Sequence, residues 1–401
     1  MFDLDNFVAN YVTHRQCSMF CDDIKNNEEK LKEKIQDKSV LVIGGAGSIG
    51  SNFIKAILPF KPSKLVVVDT NENGLAELVR DIRSTEGLYV PENLLTYPMD
   101  YSSKVFKKMF IHNNGFDIVA NFSAHKHVRS EKDIYSIEAL IRNNVISAKK
   151  LLDLLAVYPP ENYFCVSTDK AANPVNIMGA SKRVMEDLIF SYSDKFPVKT
   201  ARFANVAFSN GSLPAGFLAR MNKLQPLSAP SDVKRYFVSL QESGQICMLA
   251  CMLGNNREIF FPKLKEAQMM SFDKIGEALI LENGYSILKC DNDEEAIEKA
   301  KYINDTKQYP IHISVSNTSG EKAYEEFYTD EEAYNTELYK SLGFITDKKI
   351  PDVDKVKKLL SDLENAFDDN NCNKEEIVSI LSDYLPNFQH IETGKSLDTK
   401  M

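Results

Sequence analysis

Apolar positions in the first half of the chain come in short runs, each bounded by a turn or a helical stretch. Val40-Leu-Val-Ile43 and Leu65-Val-Val-Val68 are apolar at every position. That pattern marks strands buried on both faces rather than strands with one wet side. Further runs fall at residues 95–99, 116–121, 163–167 and 198–203, and segments of helical period separate most of them. Strand and helix in alternation predict an α/β fold, a Rossmann-type doubly wound parallel sheet with helices on both faces. Beyond about Asn205 the rhythm loosens into loops, short strands and helices, the texture of a smaller C-terminal substrate-binding region. Residues 352–385 return to a helical period as two amphipathic helices around the turn Asp368-Asp-Asn-Asn-Cys-Asn373. The expected organisation is an N-terminal helical extension over 1–36, a Rossmann domain over 37–205, a substrate-binding region over 206–345 with some segments returning to the Rossmann domain, and C-terminal helices over 346–401. The charged run at 27–34 reads as a solvated helix leading into the first strand.

Composition narrows the chemistry. The chain has 401 residues, 43% apolar and 26% charged, as in ordinary globular proteins. Its net charge is −9 with no Lys/Arg-rich block. Nucleic acid is therefore excluded as the expected partner, and metabolites remain. Two Cys-x-x-x-Cys pairs, Cys17/Cys21 and Cys247/Cys251, sit in helix-like stretches, but no His/Cys cluster accompanies them, so buried or idle thiols and no metal are expected. Scattered thiols suit a reducing compartment. The first residues lack a signal-peptide pattern, and no apolar run approaches the ~18 residues of a membrane span. A cytoplasmic protein without a membrane span is expected.

The glycine run Gly44-Gly-Ala-Gly-Ser-Ile-Gly50 falls between the first strand and a helix, and it holds the spacing Gly45-x-Gly47-x-x-Gly50. Glycines there permit a tight turn and close backbone approach, and the helix start at Ser48-Ile49 offers amides to a pyrophosphate. Asp69 follows Gly50 by 19 residues at the end of the second strand. A carboxylate there accepts from a ribose hydroxyl and repels a 2′-phosphate, so the expected cofactor is NAD rather than NADP. The plainer reading is a structural turn with Asp69 as a helix cap.

Ser167-Thr168-Asp169-Lys170 follows an apolar strand, placing these side chains at its carboxyl end, where open α/β sheets bind ligands. Met178-Gly-Ala-Ser-Lys182 then opens a helix. The whole string from Ser167 to Arg183 resembles the signature of bacterial polysaccharide-biosynthesis nucleotide-sugar 4,6-dehydratases, of the extended short-chain dehydrogenase/reductase superfamily. Weaker likenesses fall at Ser123-Ala-His-Lys-His-Val128, Asn144-Val145, Arg202-Phe-Ala-Asn205-Val, Lys234-Arg235-Tyr-Phe and Gly320-Glu321-Lys322. The resemblance implies an enzyme, a lyase with internally recycled NAD, acting on UDP-N-acetylglucosamine or, as a live alternative, its GDP-linked counterpart. It further implies a 4-keto-6-deoxy product for a surface glycan or a nonulosonic acid. A homo-oligomer is expected.

By the same resemblance, Lys170 is the base for the C5 proton, Asp169 the acid that assists water loss, and Lys182 orients the nicotinamide ribose. Thr168 can relay the C4 hydroxyl proton. Asp100, Ser123, Ala124, Lys126 and Asn144 join the cofactor contacts, while Lys126, His127, Asn205, Arg235 and Glu321 contact substrate. A lysine base needs a lowered pKa, which burial favours and the neighbouring Asp169 opposes. Two departures stand out. Met178 occupies the position of the usual tyrosine, and a thioether cannot exchange a proton; one branch of the family shares it, which implies retention at C5. Thr318 stands where an arginine commonly helps hold the nucleotide. The family's membrane-bound members carry transmembrane helices that this sequence lacks. The rival readings are a nucleotide-sugar 4- or 5-epimerase, which would conserve substrate mass, and a non-catalytic NAD-binding regulator.

Overall fold

A computed structural model of the chain describes residues 2–316, 325–346 and 348–391. The main sheet is built from β1 (Ser39–Ile43), β2 (Lys64–Asp69), β3 (Asn93–Pro98), β4 (Ile118–Asn121), β5 (Asn162–Val166), β6 (Val198–Ala201), β7 (Ile259–Pro262), β8 (Tyr334–Asn335) and β9 (Leu342–Ile345). Their order is β8-β9-β7-β6-β5-β4-β1-β2-β3. Strands β1 to β7 run parallel, while β9 pairs antiparallel with β7 and β8. The chain thus forms the doubly wound sheet that the unbroken apolar runs imply. Successive residues of β1 enter opposite cores: Leu41 and Ile43 join Val66 and Val68 on one face, and Val40 and Val42 join Leu65 and Val67 on the other. With both faces covered, no position of the strand can be polar without a partner.

A third, smaller core surrounds a three-stranded parallel sheet formed by Leu227–Pro230, Ser286–Cys290 and Gln308–Ser314, packed by the helix Phe272–Glu282. Phe7, Val8 and Val12 of the N-terminal segment pack into this core beside Phe208 and Phe217. The charged run is helical over Glu28–Ile35, its charges exposed and Leu31 and Ile35 turned inward. Cys17 lies just outside the helix Cys21–Asn26 rather than within one, and both of these thiols are exposed. Cys247 and Cys251 are buried free thiols in the helix Leu240–Leu253. Among the described residues there is no cluster of three potential metal ligands.

Helices α1 (Ser48–Ile57) and α2 (Ile177–Phe190) flank the parallel sheet, and the C-terminal pair α3 (Val353–Asp368) and α4 (Lys374–Tyr384) packs beside α2. The pair forms as its periodicity indicates, with Asp352 and Asn373 accepting from first-turn amides at the two starts. Leu359, Leu363, Ile377 and Leu381 share a core with Ile137, Leu140, Leu151 and Leu188. The segment after α4 then runs back to the loop before α2, where Ile391 N–H donates to the Val175 carbonyl at 3.0 Å.

Candidate active site

The glycine loop sits where β1 meets α1. Gly44 has φ +74°, and a Cβ there would lie 2.7 Å from the Ser123 nitrogen. At Gly50 a Cβ would lie 2.4 Å from the Gly44 carbonyl oxygen, so helix and loop can touch only through glycine. Gly47 precedes α1 and, among the described residues, no side chain caps the helix start, leaving its first amides for an anion. Ser48 Oγ accepts the Asn210 N–H at 2.9 Å, and Ile49 is partly buried against the core. Asp69 accepts from Ala46 N at 3.0 Å and from Asn71 N at 2.9 Å, tying the glycine loop to the end of β2. Asn71, not Asp69, caps the following helix.

These groups border a cleft of about 480 Å³ at the carboxyl ends of β1, β2 and β4. Strand order reverses between β1 and β4, which is where open α/β sheets take their ligands. Gly44, Gly47, Asp69, Asp100, Ser123 and Ala124 all line it. Thr70, Tyr101, Arg142 and Asn143 also line it, and no motif in the sequence marks them. The cleft, the glycine cradle and the carboxylate fit a dinucleotide. Asn144 is buried, and its amide clamps the neighbouring loop, accepting from His125 N at 2.8 Å and donating to His125 O at 2.9 Å and Ser181 Oγ at 3.1 Å. His125 lines the cleft, whereas the ring of His127 lies against Gly211 and Lys126 is exposed between them.

At the end of β5, Thr168 is extended and Asp169–Ala171 turns sharply. Thr168 Oγ1 donates to Asp169 Oδ1 at 2.6 Å, and Lys170 Nζ lies 3.2 Å from both oxygens of Asp169. Burial works to lower the pKa of Lys170, but Asp169 and then Glu325 outweigh it, and the net shift is upward. Arg235 pulls the other way. In this arrangement Lys170 is held as an ammonium. Glu325 is a member of the site that sequence reasoning misses. It is buried, accepts from Asn205 Nδ2, and takes the Tyr236 N–H at 2.8 Å. Burial, then Asp169, push its carboxyl up to about 8. Asn205 therefore contacts Glu325 directly, while the buried Arg235 and the Asp169–Lys170 pair act on the same carboxyl through their charges. Thr318 and Glu321 lie outside the described residues.

Lys182, one turn along α2 from Met178, is buried and donates to the Val166 carbonyl at 3.0 Å; burial lowers its pKa. Met178 is buried as well, and its N–H donates to Glu131 Oε1 at 2.9 Å. Glu131 also receives the C-terminal helices: Lys374 Nζ reaches its carbonyl at 3.1 Å, and His390 Nε2 lies 3.4 Å from Oε2. Behind β5, Arg202 is fully buried and donates to both oxygens of Glu186 and both of Glu332. Ser167 Oγ donates to Glu186 at 2.6 Å, so this ionic network holds the start of the Ser167–Lys170 string.

The fold and this crevice define a Rossmann-type α/β protein with a dinucleotide-binding cleft at the carboxyl ends of its parallel strands. More particularly, the chain belongs to the polysaccharide biosynthesis protein family, whose model matches residues 40–346. It is 30% identical over 355 residues to the "Uncharacterized membrane protein MJ1061" of Methanocaldococcus jannaschii, covering 87% of this chain and 96% of that one. Among the described residues no helix is long and apolar enough to cross a membrane. It is 26% identical to the "Probable polysaccharide biosynthesis protein EpsC" of Bacillus subtilis, over 77% of this chain but only 48% of that longer protein. A "UDP-N-acetylglucosamine 4,6-dehydratase (inverting)" of Campylobacter jejuni is 27% identical over 57% of this chain and 67% of its own length. A Rickettsia bellii "UDP-glucose 4-epimerase" is 28% identical over 57% and 66%. In fold, the chain matches Pen from Bacillus thuringiensis with a TM-score of 0.63 at 20% identity, over 82% of this chain and 98% of that one. It also matches the dTDP-glucose 4,6-dehydratase DesIV of Streptomyces venezuelae, determined with NAD and TYD bound, with a TM-score of 0.54 at 18% identity, over 72% and 88%.

Proposed function

We propose that the protein is an NAD-dependent nucleotide-sugar 4,6-dehydratase, with UDP-N-acetylglucosamine as its first-choice substrate. The observation that carries this reading is the Thr168–Asp169–Lys170 arrangement, a carboxylate joined to both a hydroxyl and an ammonium at the strand end beside the dinucleotide cleft. Gly44 to Gly50 and Asp69 would hold NAD, which supplies a hydride acceptor for C4 and then a donor for C6. The remaining work is proton transfer. Asp169 takes the C4 hydroxyl proton, with Thr168 as relay, and delivers it to the departing C6 hydroxyl. Lys170 removes the C5 proton and returns it from the same face, so configuration at C5 is retained. Lys182 orients the cofactor's ribose, and Asn205 and Arg235 face the sugar diphosphate, where amide and guanidinium donors suit phosphate oxygens. Met178 packs without exchanging a proton, so Asp169 carries the role that a tyrosine would otherwise take.

The test is mass spectrometry of the purified protein incubated with UDP-N-acetylglucosamine and, separately, its GDP analogue, with no added reductant. A product lighter by one water, absent with Asp169→Asn or Lys170→Ala protein, supports the dehydratase and names its nucleotide. Unchanged mass with altered stereochemistry supports the epimerase reading, which the Rickettsia relative favours. Because the Campylobacter relative is named as inverting, proton NMR of the product at C5 separates the two stereochemical courses.

A further inference from the structure

Helices α3 and α4 lie beyond residues 40–346, the span of the family match, yet α3 reaches the wall of the dinucleotide cleft. The contact is Arg142. Among the described residues lining the cleft it is the one lysine or arginine, and it opens a π-helical turn, Arg142–Ile146, that continues the helix Ile134–Ile141. Single π-helical turns recur at functional sites. This one is tied to the rest of the cleft: the Asn143 carbonyl accepts the Tyr101 hydroxyl at 2.8 Å, and Asn143 Oδ1 accepts Ser123 Oγ at 3.3 Å. Three groups hold the Arg142 guanidinium. Its Nε donates to Glu138 Oε1 at 2.6 Å, Asp368 Oδ1 lies 3.7 Å from Nη2, and Cζ stands over the Phe367 ring, 5.4 Å from its centroid. Neither Phe367 nor Asp368 is among the described residues that line the cleft. Phe367 is set in the core one turn beyond Leu363, so the docking of α3 dictates where the guanidinium stands.

We propose that Arg142 is the contact for the adenine of NAD, and that Phe367 is the positioning residue through which α3 completes that half of the cofactor site. The glycine loop and the start of α1 suit the pyrophosphate, and Asp69 suits the adenosine ribose. The base then falls beyond Asp69, where Thr70, Met99 and Asp100, at the ends of β2 and β3, line the cleft together with Ala139 and Arg142. Adenine is flat and aromatic, and a planar guanidinium stacks on such a surface where an ammonium does not. Glu138 and Asp368 occupy N–H groups of Arg142, and Phe367 covers its side away from the cleft, which leaves the cleft side for the base. A guanidinium already held in this way loses little freedom when a ligand arrives. The glycine loop and Asp69 take the cofactor without this contact, and α3 tightens the grip that they begin. The role needs only a bound dinucleotide and is independent of which sugar is dehydrated.

Calorimetric titration of the full-length protein with NAD and with ADP-ribose, which lacks the nicotinamide, tests this. Arg142→Met should weaken both ligands by the same factor, roughly tenfold. Arg142→Lys should lose nearly as much, because an ammonium keeps the charge but not the stacking plane. Phe367→Leu keeps an apolar side chain in the core. It should weaken both ligands about threefold in otherwise wild-type protein and add nothing in the Arg142→Met background, while Phe367→Tyr should bind as wild type. Unchanged affinity in Arg142→Met overturns the proposal. So does an Arg142→Lys protein that binds as tightly as wild type, since a point charge that suffices marks a phosphate contact. A loss that affects NAD and spares ADP-ribose places Arg142 at the nicotinamide end and overturns it equally. If Phe367→Leu still weakens binding once Arg142 is gone, α3 only supports the fold, and the positioning role of Phe367 is refuted.

Discussion

Replacing Arg202 with Met should be the most damaging single change away from the cleft. Arg202 is fully buried and makes five hydrogen bonds, four to carboxylate oxygens of Glu186 and Glu332 and one to the Phe327 carbonyl. Methionine fills much of the volume but leaves the carboxylate of Glu186, itself fully buried, with only the Ser167 hydroxyl and Arg183 at 3.9 Å. Glu332 is better protected, since it keeps Lys348 at 2.7 Å and Arg183 at 3.2 Å. Removing one partner of a buried ion pair costs roughly 3–5 kcal/mol, and most of that loss falls on Glu186.

The loss depends on pH with a definite sign. Burial alone would raise the pKa of both carboxyls, yet Arg202 more than offsets it and both are depressed. Their stabilisation is present above the unfolded value of about 4.3 and is lost as pH falls through the folded values. In the variant burial is no longer opposed by Arg202, so protonation relieves the strain and the gap to wild type narrows toward acid. The chain contains no tryptophan, so urea unfolding is best followed by far-UV circular dichroism. A deficit under about 1 kcal/mol at neutral pH, or one that stays constant down to about pH 5, would refute the reasoning.

Other substitutions probe the cleft and its supports. Gly50→Ala should weaken NAD binding at least about tenfold by calorimetry, because the added methyl meets the Gly44 carbonyl at 2.4 Å and displaces the loop. Asp69→Ser should cost NAD about tenfold in affinity and narrow its preference over NADP, measured by titrating both dinucleotides. Glu131→Gln should lower turnover severalfold while NAD affinity holds, because it weakens the acceptor of the Met178 N–H and the contact to His390. An unchanged rate in that variant would show that Glu131 does not position α2.

The parts of the molecule legible in the sequence are those whose physics is local. An unbroken apolar run, a glycine spacing and an acid at the next strand end lie within 31 residues, from Ser39 to Asp69, and each shapes its own stretch of backbone. The Ser167–Lys170 string and Lys182 are readable for the same reason. Glu325 is not. It stands in an aperiodic segment, and its meaning comes only from the distant residues that the fold brings to it. The cleft residues Arg142 and Asn143 are equally silent, since on a helix they resemble any polar surface positions. The period of α3 shows that it buries one face without showing which surface receives it. Phe7 and Val12, in a stretch that reads as polar and helical, likewise give no sign of the core they enter.

The return of the chain after α4 has a consequence for how the protein is made. Val175 and Glu131, which frame the loop leading into α2, receive partners from residues 374, 390 and 391. Domains assemble from the N-terminus as synthesis proceeds, and contacts distant in sequence close late. The cradle for the dinucleotide can therefore form early in translation. The turn proposed to carry the chemistry gains these supports only when α3, α4 and the segment after them emerge from the ribosome, so a half-made chain can hold cofactor well before the Thr168–Lys170 turn is locked in place.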